Sequence, residues 1–389
     1  MGLNAVVMID LDRVAPPPVP APRSHSWPGA LLAMALALIL TGAAPVPRIG
    51  ELRQVAATAT ASGPWLLTAD TLYSTHSRTT GRFDVIAWSL ATGKALWQRD
   101  VEWWAEVPVL TEAGSALVLA TRDSSQKAVV LDSRTGADLV EPGTFTTAAP
   151  VGDRVLLWHQ PTRRLTLYDP AAKRVAWQRP SETFVGAAVA PDDRLLVLTW
   201  SEFATLTLSS GKLIGRTARD KVWGSPVSIV GAVGESAYLL GRINLTGIRL
   251  PGRPLWTMTL PLPSDAVACG TRICVSGGAG LFAIDPETGT IAWDNHDWIG
   301  GEDGLVRTRE GHVVRIDTET GTAQANLGLG LPAGDLLLRP GRGTVSLVDM
   351  RTGQIRARQP GVQPGACRRT GEHLACQQEG GQVAVWRLP

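Results

Sequence analysis

Cysteine, histidine and paired carboxylates are the residues of this chain that could do redox, metal or acid–base work, and their spacing sorts them. Cys269 and Cys274 flank Gly-Thr-Arg-Ile, and Cys367 and Cys376 flank eight residues. Each pair lies just ahead of an apolar segment with strand character, so each could bridge adjacent strands of one hairpin. Such bridges form in oxidising compartments. Two disulfides, Cys269–Cys274 and Cys367–Cys376, are therefore expected, and four separate buried thiols are the alternative. The six histidines form no His-x-x-x-His pair and sit in no Cys-x-x-Cys setting, so zinc has no local signature.

Other catalytic patterns fail on spacing. No Gly-x-Ser-x-Gly elbow and no phosphate-binding loop occurs. The stretch Gly328 to Gly334 superficially suits a dinucleotide, but Pro332 interrupts it and no helix follows. It reads as a loop between repeats, and Ser276 to Gly280 reads as a hairpin connection. Glu302–Asp303 and Asp192–Asp193 could act as acid and base, yet they lie in turn-like sequence. Trp103 and Trp104 would point to opposite sides of a strand. One would pack while the other reached a surface, where a binding hot spot is the functional alternative. The remaining tryptophans are expected in packing roles. No metal and no cofactor is expected.

The elements that must position these residues announce themselves by repetition. A hydrophobic strand, then Asp-x-x-Thr-Gly, then a short apolar stretch often ending in Trp, recurs every 32 to 43 residues. The turn position is held by Gly93, Gly136, Lys173, Gly211, Gly252, Gly289, Gly321 and Gly353. Four residues earlier stands Asp132, Asp169, Asp285, Asp317 or Asp349. Four residues later stands Trp97, Trp177, Trp256 or Trp293. Glycine supplies left-handed backbone for a tight hairpin, aspartate pins the turn by accepting backbone N–H bonds, and tryptophan wedges a large ring between neighbouring sheets. The flanking segments, such as Asp84 to Trp88, Arg154 to Trp158, Arg194 to Trp200 and Leu281 to Asp285, are rich in Val, Leu and Ile and bounded by Gly, Pro and Asp, as strands are. No sustained helical period follows residue 47. Several strands per repeat of about forty residues give propeller blades.

The Asp-x-x-Thr-Gly-x-x-x-Trp string resembles the tryptophan docking motif of PQQ-like β-propellers. That family includes quinoprotein dehydrogenases and the propeller lipoprotein of outer-membrane barrel assembly. The resemblance covers roughly Pro47 to Pro389. It departs from the pattern at Lys173, at Val140 and Gly215 where Trp is expected, and in the last two full units, which lack the Trp. The WD40 propellers are the rival, but no repeated Gly-His…Trp-Asp signature occurs. The expected fold is all-β, one propeller over residues 48–389. Eight blades, the usual number in the family, are expected, while a literal count allows nine. The C-terminus stops one strand short of a full unit, and Ile49 to Ala57 could supply that strand and close the ring. Quinoprotein dehydrogenases carry adjacent cysteines and an acidic calcium set; this chain has no adjacent cysteine pair, so the resemblance does not extend to the quinone.

The N-terminus is different in kind. Residues 1–26 are polar and Pro-rich, with Ala-Pro-Pro-Pro-Val-Pro-Ala-Pro at Ala15 to Pro22, which suits a disordered cytoplasmic tail. Residues 27–47 carry no charge and include a strongly apolar run from Leu31 to Leu40. They are just long enough to span a bilayer as a signal-anchor helix. A cleaved signal peptide with a small-residue site near Thr41 to Ala44 is the alternative. The expected place is the cell membrane, single-pass, with the propeller extracytoplasmic, or else secretion. Net charge is +2 and no basic cluster tracks phosphates, which excludes nucleic acid. The expected function is a binding or assembly scaffold whose partner is another protein or a cell-envelope ligand. A quinoprotein-like oxidoreductase, another enzyme with a site assembled from several blades, and a transmembrane sensor stay open as alternatives.

Overall fold

The structure, a computed structural model, describes residues 52–58, 63–79, 81–102, 109–120, 128–141, 147–218, 226–302, 304–378 and 380–388. The expected tail at 1–26, the apolar run at 27–47, Trp103, Trp104 and Asp303 lie outside the described residues. Among the described residues no helix is long and apolar enough to cross a membrane. Residues 49–389 form one compact unit.

That unit is a ring of nine antiparallel sheets. Blades 1 to 8 are residues 65–102, 109–132, 147–180, 186–218, 226–259, 263–295, 298–329 and 331–360, each in simple up-and-down order. Blade 2 has three strands, with a single bridge from Leu131 to Asp138 marking the place of the fourth. Blade 9 takes three strands from residues 362–387 and its fourth from Arg53–Ala57, which pairs antiparallel with Val383–Arg387. The closure expected from the sequence is therefore present. The blade number corrects the expectation of eight. Residues 331–360 complete a four-stranded sheet of their own, so the C-terminal strands have no sheet to join except one made with the N-terminal strand.

First strands of neighbouring blades touch one another while fourth strands carry the exposed residues, so the first strand lies nearest the axis. Nine buried apolar clusters hold the described residues together, and each is shared by two consecutive blades. Ala116–Ala120 shows why the strands read as continuous apolar runs. Leu117 and Leu119 pack toward blade 1, whereas Ala116 and Val118 pack toward blade 3. Successive side chains point to opposite faces, and here both faces are buried. The last cluster joins Ala56, Val383 and Val385 of blade 9 to Leu67, Leu72 and Leu90 of blade 1, which closes the ring.

Both expected disulfides are formed. Cys269–Cys274 and Cys367–Cys376 each tie the first strand of a blade to its second, in blades 6 and 9. Both closed loops are short, so each bridge contributes about 2–3 kcal/mol by restricting the unfolded chain. Alkylation of intact cells should label no cysteine until a reductant is added. Free labelling beforehand would show reduced thiols and remove this support for an oxidising compartment.

Candidate functional site

First-to-second hairpins, and the third-to-fourth hairpins of blades 1 and 3 to 8, emerge on one face, here the turn face. Second-to-third hairpins and blade-to-blade connectors emerge on the other, the connector face.

The motif residues assemble on the turn face. Asp132 Oδ1 accepts from the backbone N–H of Arg134 and Thr135, Asp285 from Glu287 and Thr288, Asp317 from Glu319 and Thr320, and Asp349 from Arg351 and Thr352. Asp169 receives one such bond, from Ala172. The turn residue then takes left-handed backbone: φ is +68° at Gly93, +71° at Gly136, +71° at Gly289, +69° at Gly321 and +71° at Gly353. Gly252 is the exception. Its turn is built instead on the cis Leu250–Pro251 peptide, and its own φ is not left-handed.

Each motif Trp reaches across to the next blade's turn. Its Nε1 donates to the carbonyl one residue after the capping position: Trp97 to Ser133 (2.9 Å), Trp177 to Leu208 (2.8 Å), Trp256 to Pro286 (3.1 Å) and Trp293 to Thr318 (2.9 Å). The ring lies flat against the turn glycine. A Cβ on Gly136, Gly211 or Gly321 would stand 2.6 Å from Trp97, Trp177 or Trp293, and one on Gly289 would crowd Trp256 as badly. The glycine is thus required twice, for its φ and for the ring above it.

This geometry explains the departures as coupled pairs. Blade 2 offers Val140 instead of Trp, and the turn it would cover, in blade 3, is where Lys173 replaces glycine at φ +51°. With no ring overhead, a side chain fits, and Lys173 Nζ lies 3.4 Å from Asp132. Blade 4 offers Gly215, and Pro251 of the altered blade 5 turn packs straight onto it, its carbonyl 2.7 Å from where a Cβ would be. Blade 7 offers Ala325, and nothing lies within 4 Å of a Cβ on Gly353. There Arg315, the cross-strand neighbour of Ala325, donates to the equivalent carbonyl of Met350 at 3.4 Å.

Two tyrosines absent from the sequence reading reinforce the latch. Tyr73 and Tyr238 donate to the same carbonyls, Ser133 and Pro286, as Trp97 and Trp256. Burial, with the nearby charge of Glu112, pushes the Tyr73 hydroxyl up to about 12.

Asp132, Asp285, Asp317 and Asp349 titrate low. Burial works against ionisation of Asp132, but bonds from Thr135 and Arg134 outweigh it. Thr288 does most for Asp285, Thr320 for Asp317 and the Arg356 guanidinium for Asp349. A depressed folded pKa adds stability that is complete above the ordinary Asp value of about 4 and drains as pH falls below it. Urea titrations should therefore show stability lost as pH falls below about 4, and that slope should flatten in Asp285→Ala. An unchanged slope would mean that the caps do not hold the turns.

A second repeated element was missed in the sequence. Two-residue first-to-second hairpins read Gly152-Asp153, Gly234-Glu235, Gly334-Asp335 and Gly371-Glu372, each with its glycine in left-handed backbone. Asp192 and Asp193 do the same without glycine, at φ +62° and +56°. These exposed carboxylates ring the inner rim of the turn face. Asp335 pairs with Arg369, and Glu372 with Arg387 at 3.0 Å. The signal that could have revealed them is a Gly-acid dipeptide 18 to 21 residues before the motif turn, as at Gly152 and Gly234. Asp192–Asp193 thus serves a turn, as read from sequence. Among the described residues, no three of His, Cys, Asp or Glu converge as metal ligands would.

The connector face differs. Trp200 and Ile243, in the second-to-third hairpins of blades 4 and 5, are each 52% exposed, and Leu262, in the connector to blade 6, is 71% exposed. Trp200 contradicts the packing role expected of it, because the strand ends at Leu198 and leaves the ring in the turn. Leu260 N–H donates to Ile243 O at 2.7 Å and Gly278 N–H to Leu262 O at 3.3 Å, which fixes these loops to blades 5 and 6. Two clefts flank them, of about 250 Å³ between blades 3 and 4 and about 270 Å³ between blades 6 and 7. The Gly328 to Gly334 stretch is not the loop read from sequence: Ala323–Leu329 ends one blade and Leu331–Ala333 opens the next, with only Gly330 between them, whereas Ser276 to Gly280 forms a hairpin as read.

Residues 206–366 match the family described as "Outer membrane protein assembly factor BamB". The crystal structure of BamB from Moraxella catarrhalis is similar at 21% identity, with 87% of this chain and 98% of that chain covered and a TM-score of 0.47. Dihydro-heme d1 dehydrogenase NirN in complex with DHE is similar at 13% identity, covering 77% of this chain and 66% of that chain, with a TM-score of 0.44. A search of curated proteins finds no match. The latched repeats, and a family match that runs from blade 4 into blade 9, support a PQQ-like β-propeller.

Proposed function

We propose that this chain is a membrane-tethered, extracytoplasmic scaffold that binds another protein of the cell envelope. The observation that carries this reading is the exposure of Trp200, Ile243 and Leu262 on the connector face of consecutive blades. Large apolar groups grouped on one face favour association, since burying them against a partner removes them from water. Of the other exposed large apolar residues, Leu96, Val175, Leu213, Ile214, Ile291 and Leu329 lie on fourth strands at the outer rim, and Val109 and Val189 on first strands near the axis. Two disulfides and the uncharged run at 27–47 support export and tethering. The matched family is described as an assembly factor, a role that consists of holding other proteins.

Photo-crosslinking tests the reading. A benzoyl-phenylalanine at Ile243 in intact cells should trap one discrete protein, and the same group at Leu96 on the rim should not. Absence of any adduct at Ile243, or equal labelling at both positions, would refute it.

A further inference from the structure

We infer that Leu262 is a rigid knob that enters an apolar pocket, one leucine side chain wide, on the protein that binds the connector face. This rests on the scaffold reading and adds the residue that anchors the partner and the chemistry of the pocket that receives it. Among the described residues Leu262 is the most exposed of the large apolar side chains, and its backbone is left-handed, at φ +48°. A bulky side chain is disfavoured in that conformation, which glycine and asparagine adopt readily. Nothing within the chain compensates, because Leu262 joins none of the buried clusters, whereas Leu260, two residues earlier, is buried between blades 5 and 6. Fold and solubility both favour a different residue at 262. A leucine held there against both points to a contact outside the chain.

The local sequence holds the knob still. Pro261 and Pro263 flank it, and each ring fixes its own φ. Leu262 O accepts from Gly278 N–H on the neighbouring hairpin. A Cβ on Gly277 would stand 2.5 Å from Leu262 O, and one on Gly280 2.5 Å from Asn295 O. The glycines at 277 and 280 thus let the connectors on either side lie directly against that hairpin. An anchor ordered before binding loses little conformational entropy on docking.

The groups around the knob decide what it meets. Arg309, on blade 7, donates from Nη2 to Gly278 O at 2.8 Å and from Nε to His296 O at 3.0 Å. His296 Nδ1 lies 2.8 Å from Ala279 O and donates to it, since a carbonyl only accepts. These backbone acceptors beside Leu262 are therefore paired within the chain, and a partner need supply no donor to bury them. What it must supply is apolar surface around one aliphatic side chain. A lipid surface is the other apolar medium, and it holds proteins with the help of cations against anionic headgroups. The connector-face loops of blade 6, residues 259–264, 277–280 and 294–297, contain no lysine or arginine. Exposed Arg242 and Arg309, on the hairpins of blades 5 and 7, are offset by exposed Asp265, Asp294 and Asp297. A protein pocket is the occupant that fits.

The yield of the benzoyl-phenylalanine adduct at Ile243 in intact cells, measured in Leu262 variants of the full chain, tests this. Leu262→Gly and Leu262→Asn should each lower it about tenfold or more. Leu262→Met, of similar volume, should keep at least half of it. Glycine and asparagine both accept left-handed backbone, so melting temperatures of the two purified variants should stay at or above the wild-type value. That separates lost binding from lost fold, and a fall in both would show that Leu262 serves the fold and overturn the proposal. The same photoreactive group at Gly278, where a Cβ meets nothing nearer than Leu262 Cβ at 4.0 Å, should attach to apolar residues of the same partner protein. Attachment to lipid, or to a second copy of this chain, would also overturn it. If the Ile243 adduct forms equally in Leu262→Gly, the knob alone is wrong and the scaffold reading stands. If the wild-type chain gives no adduct at Ile243, both fall.

Discussion

Gly321→Ala is expected to cost about 3–4 kcal/mol, whereas Gly353→Ala on the adjacent blade costs about 1–2 kcal/mol. The backbone conditions are matched, with φ at +69° and +71°. Both substitutions therefore carry the penalty of placing a side chain in left-handed backbone. Only the surroundings differ. A Cβ on Gly321 would meet the Trp293 ring at 2.6 Å, and one on Gly353 meets nothing within 4 Å. Overpacking of a fitted contact adds about 1–3 kcal/mol. A double-mutant cycle gives the sharper measurement. In a Trp293→Ala background the cost of Gly321→Ala should drop to the Gly353→Ala level, with a coupling of about 2 kcal/mol. Equal costs at the two glycines in the wild-type background would show that the ring does not rest on the turn. The same logic makes Lys173→Gly neutral or slightly stabilising, because no Trp covers that turn.

Deleting the closing strand Arg53–Ala57 should destabilise the propeller by on the order of 5 kcal/mol, comparable with the whole stability of a typical domain. The strand supplies the ladder to Val383–Arg387, including the pairs Gln54↔Trp386 and Ala57↔Ala384. Just beyond it, Thr58 donates its N–H to Val383 O and accepts from Val383 N–H through its hydroxyl. Val55 O lies 2.5 Å from where a Gly93 Cβ would be, so the strand also covers the blade 1 turn as the fourth strands of other blades do. Each ladder bond contributes about 1 kcal/mol. Removal further uncovers the cluster around Leu67, Leu72 and Val385 and leaves an unpaired edge on blade 9. Thermal melting and limited proteolysis would report the loss, with early cleavage in residues 362–387. A melting temperature equal to that of the intact chain would mean that the ring is held shut elsewhere.

The nine-blade count and the coupled departures show where linear sequence stops informing. Spacing along the chain locates each turn and each strand, because those depend on residues four or five apart. Whether Lys173 is tolerated depends on Val140, 33 positions earlier, and that dependence exists only because the two meet across a blade interface. The same holds for Arg315, whose bond to Met350 replaces the tryptophan's only after Ala325 has left the position empty. Trp200 looks like any strand-ending tryptophan until the strand is seen to stop at Leu198.

By itself, then, the amino-acid sequence determined the all-β repeat, the turn chemistry of Asp132, Asp285, Asp317 and Asp349, the two disulfides and the strand that closes the ring. All of these follow from local backbone demands, from short loops or from a missing sheet edge. Tertiary structure alone decided the number of blades, the seating of each Trp on its neighbour's glycine, the inner ring of carboxylates and the exposure of Trp200, Ile243 and Leu262. Those features arise between blades, where residues far apart in the chain are brought together by packing that no periodicity encodes.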